Sequence, residues 1–358
     1  MRIGFWGSLP LIVSCLGLVG CASIAAGSTI RVIDGAAPAL GRFEDPQLAE
    51  DAIPGSIATM EGVLILKPDN LTLRRSIARA YSSLGFGFLV NHMEDAYAND
   101  DEALAETYRV RASLAFKRAR TVVLEGMTAE NDEGGGALEQ KKRGIEAWKK
   151  YVATFDDEEL AELLFWGAYS WAQYISLNQN DADAMADREF AAALLEHVIK
   201  LDGSVQNYAP YALRGGLLSA VPAQVGGKPD EGAKQFDVAI EHTNRQMYMY
   251  MVMKARFVAV ALQDRAMYKS LLDEVIAGDP DVVLDQRLSN RLAKLRAERY
   301  LAQIDDLFMP EEPGEPAVDA AAPEAGAAAT PAAATPAAAA PAAAPASAKK
   351  PASDSKPR

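Results

Sequence analysis

An all-α protein, built as an array of antiparallel helix pairs, is the fold class this sequence predicts. Three observations carry it. Apolar residues recur at helical spacing in one stretch after another, each closed by Pro, Gly, Asn or Asp. No stretch sustains the two-residue alternation of a strand. Met247-Tyr248-Met249-Tyr250 starts one, but Lys254-Ala255-Arg256-Phe257 does not continue it. Finally, Leu163-Leu164-Phe165-Trp166-Gly167-Ala168-Tyr169-Ser170-Trp171-Ala172 contains no charge and no Pro, and reads as a central helix.

The chain begins with an address. Met1-Arg2 is a minimal basic region and Ile3 to Val19 is apolar. Leu18-Val19-Gly20-Cys21 resembles a bacterial lipobox, so residues 1–20 read as a lipoprotein signal peptide with cleavage before Cys21 and acylation of its thiol. Two or three acyl chains give stable anchoring where one is marginal. Ala22, in place of an Asp, leans towards the outer membrane over the inner, with the protein facing the periplasm. Residues 21–51 are rich in Ala, Gly and Pro and read as a tether.

The helical domain is expected over 52–309. Ile57, Met60 and Val63-Leu64 form a stripe that stops at Lys67-Pro68-Asp69-Asn70, where Asn70 caps the next helix. That helix, Leu73 to His92, contains Gly85-Phe86-Gly87-Phe88. Two glycines inside a helix cost about 1 kcal/mol each against Ala, so they imply a close crossing, a kink or backbone beside a ligand. Helices follow over Asp101–Glu125 and Ile145–Phe155, the latter after a Gly-rich loop at 131–136. Asp156-Asp157-Glu158-Glu159 supplies a negative first turn for the central helix. Beyond a polar linker at 178–187 come helices over 189–201, 208–220, 231–241, 247–262, 265–277 and 289–307. Leu194 to Asp202 and Phe236 to Glu241 look like closing helices of tetratricopeptide units, set further apart than the usual ~34 residues by the loop at 221–228. The array is therefore expected to be a degenerate, tetratricopeptide-like α-solenoid. Residues 310–358 collapse to Pro, Ala and Thr, which offer no core to bury, and read as a disordered tail with a basic tip.

Composition narrows the function. Of 358 residues, 49% are hydrophobic, and the net charge is −13, which disfavours nucleic acid and anionic membrane surfaces. Only two cysteines occur, one of them in the leader, which removes disulfide frameworks and thiolate metal sites. His92, His197 and His242 lie far apart, and Asp181, Asp183 and Asp187 lack the Gly and closing Glu of a calcium loop. Gly226-Gly227-Lys228 lacks the earlier Gly of a phosphate loop and is followed by Pro229, which has no N–H to donate. It reads as a turn, structural or facing a partner. No catalytic constellation, metal site or cofactor is expected, and the chain does not read as an enzyme.

An apolar cavity is the candidate site. On the central helix, Leu160, Leu164, Gly167, Trp171 and Tyr174 form one stripe, while Trp166, Tyr169 and Gln173 fall on another face. A helix apolar on several faces is buried all round or lines a cavity. Met249, Met253 and Phe257 recur at four-residue spacing, and Gly-Phe-Gly-Phe sets rings beside bare backbone. Phe86, Phe88, Trp166, Tyr169, Met249 and Met253 are therefore the candidate lining of a shared cavity, with a solid core as the competing reading.

An ordered set of motifs resembles one family. Pro68-Asp69-Asn70, Ala80-Tyr81 with Gly85-Phe86-Gly87-Phe88, Arg118-Ala119-Arg120 and Leu164 to Ala172 belong to it. So do Leu201-Asp202, Ala209-Pro210, Gly226-Gly227-Lys228-Pro229, Phe236 and Leu307-Phe308. Together they resemble the T component of tripartite ATP-independent periplasmic (TRAP) transporters, over roughly Gly55 to Phe308. The tail departs from that pattern, as does Tyr211, where the resemblance leads one to expect His. The resemblance implies a helical periplasmic lipoprotein that forms a homo-oligomer, a trimer, with an apolar channel in each protomer. It also implies docking to a solute-binding P component and a hydrophobic organic acid or lipid-like ligand. The alternative is a lipid-anchored scaffold for outer-membrane or cell-wall assembly, without a small ligand.

Overall fold

The computed structural model describes residues 27–308, apart from 222, 224 and 225. Among these residues the protein is all-α. The signal peptide, Cys21 and the 310–358 tail lie outside the described residues.

Residues 27–36 form α1, and α2 spans Pro46–Leu66. The Asp45 side chain caps α2 by accepting from Gln47 N. A hairpin partner follows without a break in direction: α3 (Leu71–Ser83), a wider π-type turn at Leu84–Leu89, and α4 (Val90–Ala98). Asn70 caps α3 by accepting from Leu73 N at 2.8 Å, as the Lys67 to Asn70 stop signal predicts. The long α5 (Glu102–Glu130) packs back along α3 and α4. Short helices α6 (Gly136–Lys142) and α7 (Ile145–Val152) lead to the central α8 (Ala161–Leu177). Next come α9 (Ala182–Ala186), α10 (Arg188–Asp202), α11 (Val205–Ser219) and α12 (Pro229–His242). A second interrupted helix follows, formed by α13 (Tyr248–Lys254), a π-type turn at Ala255–Ala259 and α14 (Val260–Leu262). The described chain closes with α15 (Arg265–Ala277), α16 (Arg287–Ala302) and α17 (Ile304–Leu307).

Two close approaches fix the packing around α8 and α3. A Cβ on Gly167 would stand 2.7 Å from Val123 Cγ1, so α8 and α5 meet where no side chain intervenes. One on Gly85 would stand 2.8 Å from the Phe116 ring, which explains the first glycine of Gly-Phe-Gly-Phe as a close crossing. Around these contacts Trp148, Phe165, Trp171 and Leu194 form a dense core, with Trp148 and Trp171 edge to face at 5.6 Å.

Two sequence expectations are corrected here. The tether predicted over 21–51 is largely helical where it is described, and Ile30 and Ala49 are buried. Its Ala- and Gly-rich composition hides short apolar contacts with α2 and α3, and ion pairs reinforce them: Arg75 with Asp34, Arg42 with Asp285, and Arg287 with Glu44. The polar linker at 178–187 contains α9 and ends in buried Asp187. That carboxylate accepts from Trp171 Nε1 at 3.0 Å and pairs with Arg120 and Lys141, which is why an acidic residue tolerates the core.

The last described helices return to the earlier ones. Fully buried Arg296 on α16 donates from Nη2 to Phe86 O at 2.6 Å, and its guanidinium lies 4.1 Å from the Phe86 ring centroid. Beside it, Arg299 and the Tyr300 hydroxyl donate to Glu94 on α4 at 3.0 and 2.8 Å. Burial raises the Tyr300 pKa and keeps that hydroxyl protonated. This closure surrounds a central space with helices from both ends of the chain.

Candidate functional site

That space is a partly open cavity of about 1350 Å³. It exceeds the ~300–1,000 Å³ usual for small-molecule pockets, so it has room for a long or bulky molecule. The Val32 to Gly41 stretch and α2 form one side, and α3 with its π-type turn a second. The stripe of α8 that carries Trp166, Tyr169 and Gln173, together with α11, α13 and the start of α16, completes the wall.

Phe86, Phe88, Trp166, Tyr169, Met249 and Met253 all lie on this wall, joined by Phe257. The central helix serves both readings at once. Leu164, Gly167 and Trp171 are buried in the core, while Trp166, Tyr169 and Gln173 border the cavity. Phe86 and Tyr169 meet edge to face at 6.2 Å, and Trp166 meets Tyr169 likewise at 5.7 Å. Both π-type turns contribute rings, Phe86 and Phe88 from one and Phe257 from the other. An extra residue per turn rotates the side chains that follow, and such turns concentrate at functional sites.

Arg79, Gln206 and Asn207 bring polar groups to one part of the wall, and Glu162 binds to that part from outside the lining; the sequence pattern does not announce them. Glu162 Oε1 accepts from Trp166 Nε1 at 3.2 Å and from Gln206 Nε2 at 2.9 Å. Its Oε2 stands 3.4 Å from Arg75 Nε, and Arg79 Nη1 lies 3.6 Å from Oε1. Burial lowers the Arg79 pKa, an effect that Glu162 opposes only in part. Gln206, Asn207 and Tyr208, all at the cavity, take left-handed φ values of 50°, 60° and 64°. Such conformations cost roughly 1–3 kcal/mol each outside glycine and persist only where neighbours enforce them. Here the buried Tyr250 hydroxyl donates to Gln206 O and Asn207 O at 3.1 and 2.8 Å, and Tyr208 stacks on His242 at 4.3 Å. Burial pushes the Tyr169 and Tyr250 phenols up, so both remain neutral donors at ordinary pH.

Gly226, Gly227 and Lys228 lie apart from the cavity lining, in a turn before α12. Lys228 N donates to Leu218 O at 2.7 Å, and its exposed ammonium pairs with Glu231 at 3.1 Å. The histidines are dispersed: His92 beside Glu50, His197 on Phe155 O, and His242 under Tyr208. No described helix is long and apolar enough to cross a membrane.

The family model of the TRAP transporter T-component matches residues 43–308, nearly all of the described structure. The chain belongs to this family. Members are transporter components rather than enzymes, so this T component associates with a TRAP transport system. It is also similar to an uncharacterized protein of Treponema pallidum (strain Nichols), 22% identical over 282 residues, which cover 74% of this chain and 81% of the relative. The matched region begins at Phe43, within the segment first read as a tether, in keeping with its helical structure.

Proposed function

We propose that this T component is a periplasm-facing receptacle that holds a hydrophobic small molecule in its central cavity and docks the solute-binding P component of its transport system. The observation that carries the reading is the cavity itself. It is about 1350 Å³ and walled by Phe86, Trp166, Tyr169, Met249 and Met253, with rings and thioethers that adapt to varied apolar shapes. Anchoring is through acyl chains on Cys21, in the outer membrane, and the helix pairs stack as a degenerate tetratricopeptide-like array. The homo-oligomer is a trimer. The exposed Gly226-Gly227-Lys228 turn is the first candidate for the docking surface, since its one cation is held only by an exposed ion pair.

The test is titration with a neutral, environment-sensitive apolar fluorophore. Wild type should bind it saturably. Met253→Asp, which places a charge on the apolar wall without touching the core, should weaken it. A scaffold without a ligand would bind no probe in either form. Docking is tested separately by crosslinking in intact cells, where recovery of a TRAP solute-binding protein is expected and its absence would refute the docking claim.

A further inference from the structure

The N-terminal stretch is both a wall of the cavity and the segment that leads back to Cys21. Val32, Ala36 and Pro38 border the cavity and are also exposed, so they form part of its rim. The short turn at Leu284–Gln286 packs against the one at Ala37–Arg42, so closely that a Cβ on Gly41 would strike Asp285 O. The rim thus presents Val32, 69% exposed, and Leu284, 55% exposed. Apolar groups left open to water at the mouth of a cavity mark an interaction surface.

The whole chain carries a net charge of −13, yet acids of this rim are engaged. Asp34 pairs with Arg75, Asp285 with Arg42, and both Glu44 and Asp281 with Arg287. Arg31, one position before Val32, is exposed and makes no ion pair with any described residue. An apolar patch beside an unpaired guanidinium suits a lipid interface, where the stem stays in apolar surroundings and the head reaches phosphate.

The length of chain between this rim and Cys21 says what covers it. Cys21 lies six residues before Gly27, the start of α1. Six residues span at most about 22 Å when fully extended, and Val32 lies a further ~8 Å along the helix. The rim is therefore within about 30 Å of an acylated thiol. A domain of this length has an expected radius of gyration of about 19 Å and is roughly 50 Å across. A rim on the face away from the bilayer is out of that reach.

We propose that this rim docks on the bilayer surface, so that the mouth of the cavity opens against the membrane that holds the anchor. Val32 and Leu284 enter the headgroup boundary, and Arg31 meets lipid phosphate. This rests on the Cys21 anchor and the cavity proposed above and adds an orientation to them.

The experiment uses the acylated full chain in vesicles of phosphatidylcholine and phosphatidylethanolamine, with a brominated phosphatidylcholine as quencher. Acylation blocks Cys21, so one added cysteine carries an environment-sensitive label. It is placed at Ala39→Cys on the rim, or at Leu138→Cys, exposed on α6 and outside the cavity lining. The rim label should lose about half its emission or more, as expected of a group ~5–10 Å into the headgroup boundary, and the α6 label should keep its emission. Adding Arg31→Glu and Leu284→Asp should restore the rim label while the acyl chains still hold the protein on the vesicles. Equal emission from the two sites on vesicles that carry the protein overturns the docked rim and leaves the anchor and the cavity standing. A rim label shifted to the blue but not quenched places a protein chain there and overturns it as well. Quenching that persists through both substitutions shows that the anchor alone carries the label into lipid, and overturns the patch. A chain that does not float with the vesicles overturns the anchor and the docked rim together.

Discussion

Trp166 and Trp171 sit five positions apart on one helix and should respond differently to truncation. Trp171 is 1% exposed, stacks on Phe190 and donates to buried Asp187. Its replacement by Ala opens a void among closely packed rings and removes a partner from a buried charge. The expected cost is about 3–5 kcal/mol, towards the top of the range for large aromatic truncations. Trp166 borders space that already exists. Its loss enlarges the cavity rather than creating one, so most of the void penalty is not incurred. What remains is partial ring burial against Phe165 and Tyr169 and one hydrogen bond to Glu162, together about 1–2 kcal/mol. Denaturant unfolding followed by circular dichroism measures both variants, and the neutral fluorophore reports the cavity. Trp166→Ala should weaken the probe while the fold survives. Equal and large losses of stability with unchanged probe binding would assign Trp166 to the core and refute the division of α8 into a core face and a cavity face.

Other outcomes follow from single features. Cys21→Ser should release the protein from the membrane fraction, and a variant that still sediments after a carbonate wash would disprove acyl anchoring. Truncation after Phe308 should leave the melting temperature within a few degrees, since 310–358 offers no apolar surface, and a large drop would show that the tail packs on the domain. Acid should destabilise the α2–α5 contact. The hydrogen bonds from Arg118 hold the Glu61 pKa below 4.5, so its stabilising contribution is complete above 4.5 and is lost as pH falls through the lower, folded-state value. Glu61→Gln should flatten the stability profile below pH 4.5, and an unchanged profile would show that the pair contributes nothing.

The helical order was legible because its signals are local. Asn70 as a cap, the Lys67-Pro68 stop and the Arg265–Ala277 helix need only neighbouring residues to be read. The apolar wall was legible for a related reason, since Met249, Met253 and Phe257 repeat at helical spacing and all face the same space. Arg79 was not, because its neighbours in sequence announce neither Glu162, more than eighty positions away, nor the cavity. Nor was the Gln206 to Tyr208 turn, whose left-handed backbone has no glycine to announce it and depends on Tyr250, more than forty residues away. Arg296 shows the same limit. Its full burial depends on Phe86 and Glu94, at the far end of the chain. Ring closure is non-local, and spacing within one helix carries no trace of it.

The most direct measurement is a crystal structure of the protein with a bromine-labelled neutral alkane, located by anomalous scattering. Bromine density inside the cavity, against Phe86, Tyr169 and Met253, is the expected result. Density confined to the outer surface, or none at saturating alkane, would contradict the assignment of this space to an apolar ligand.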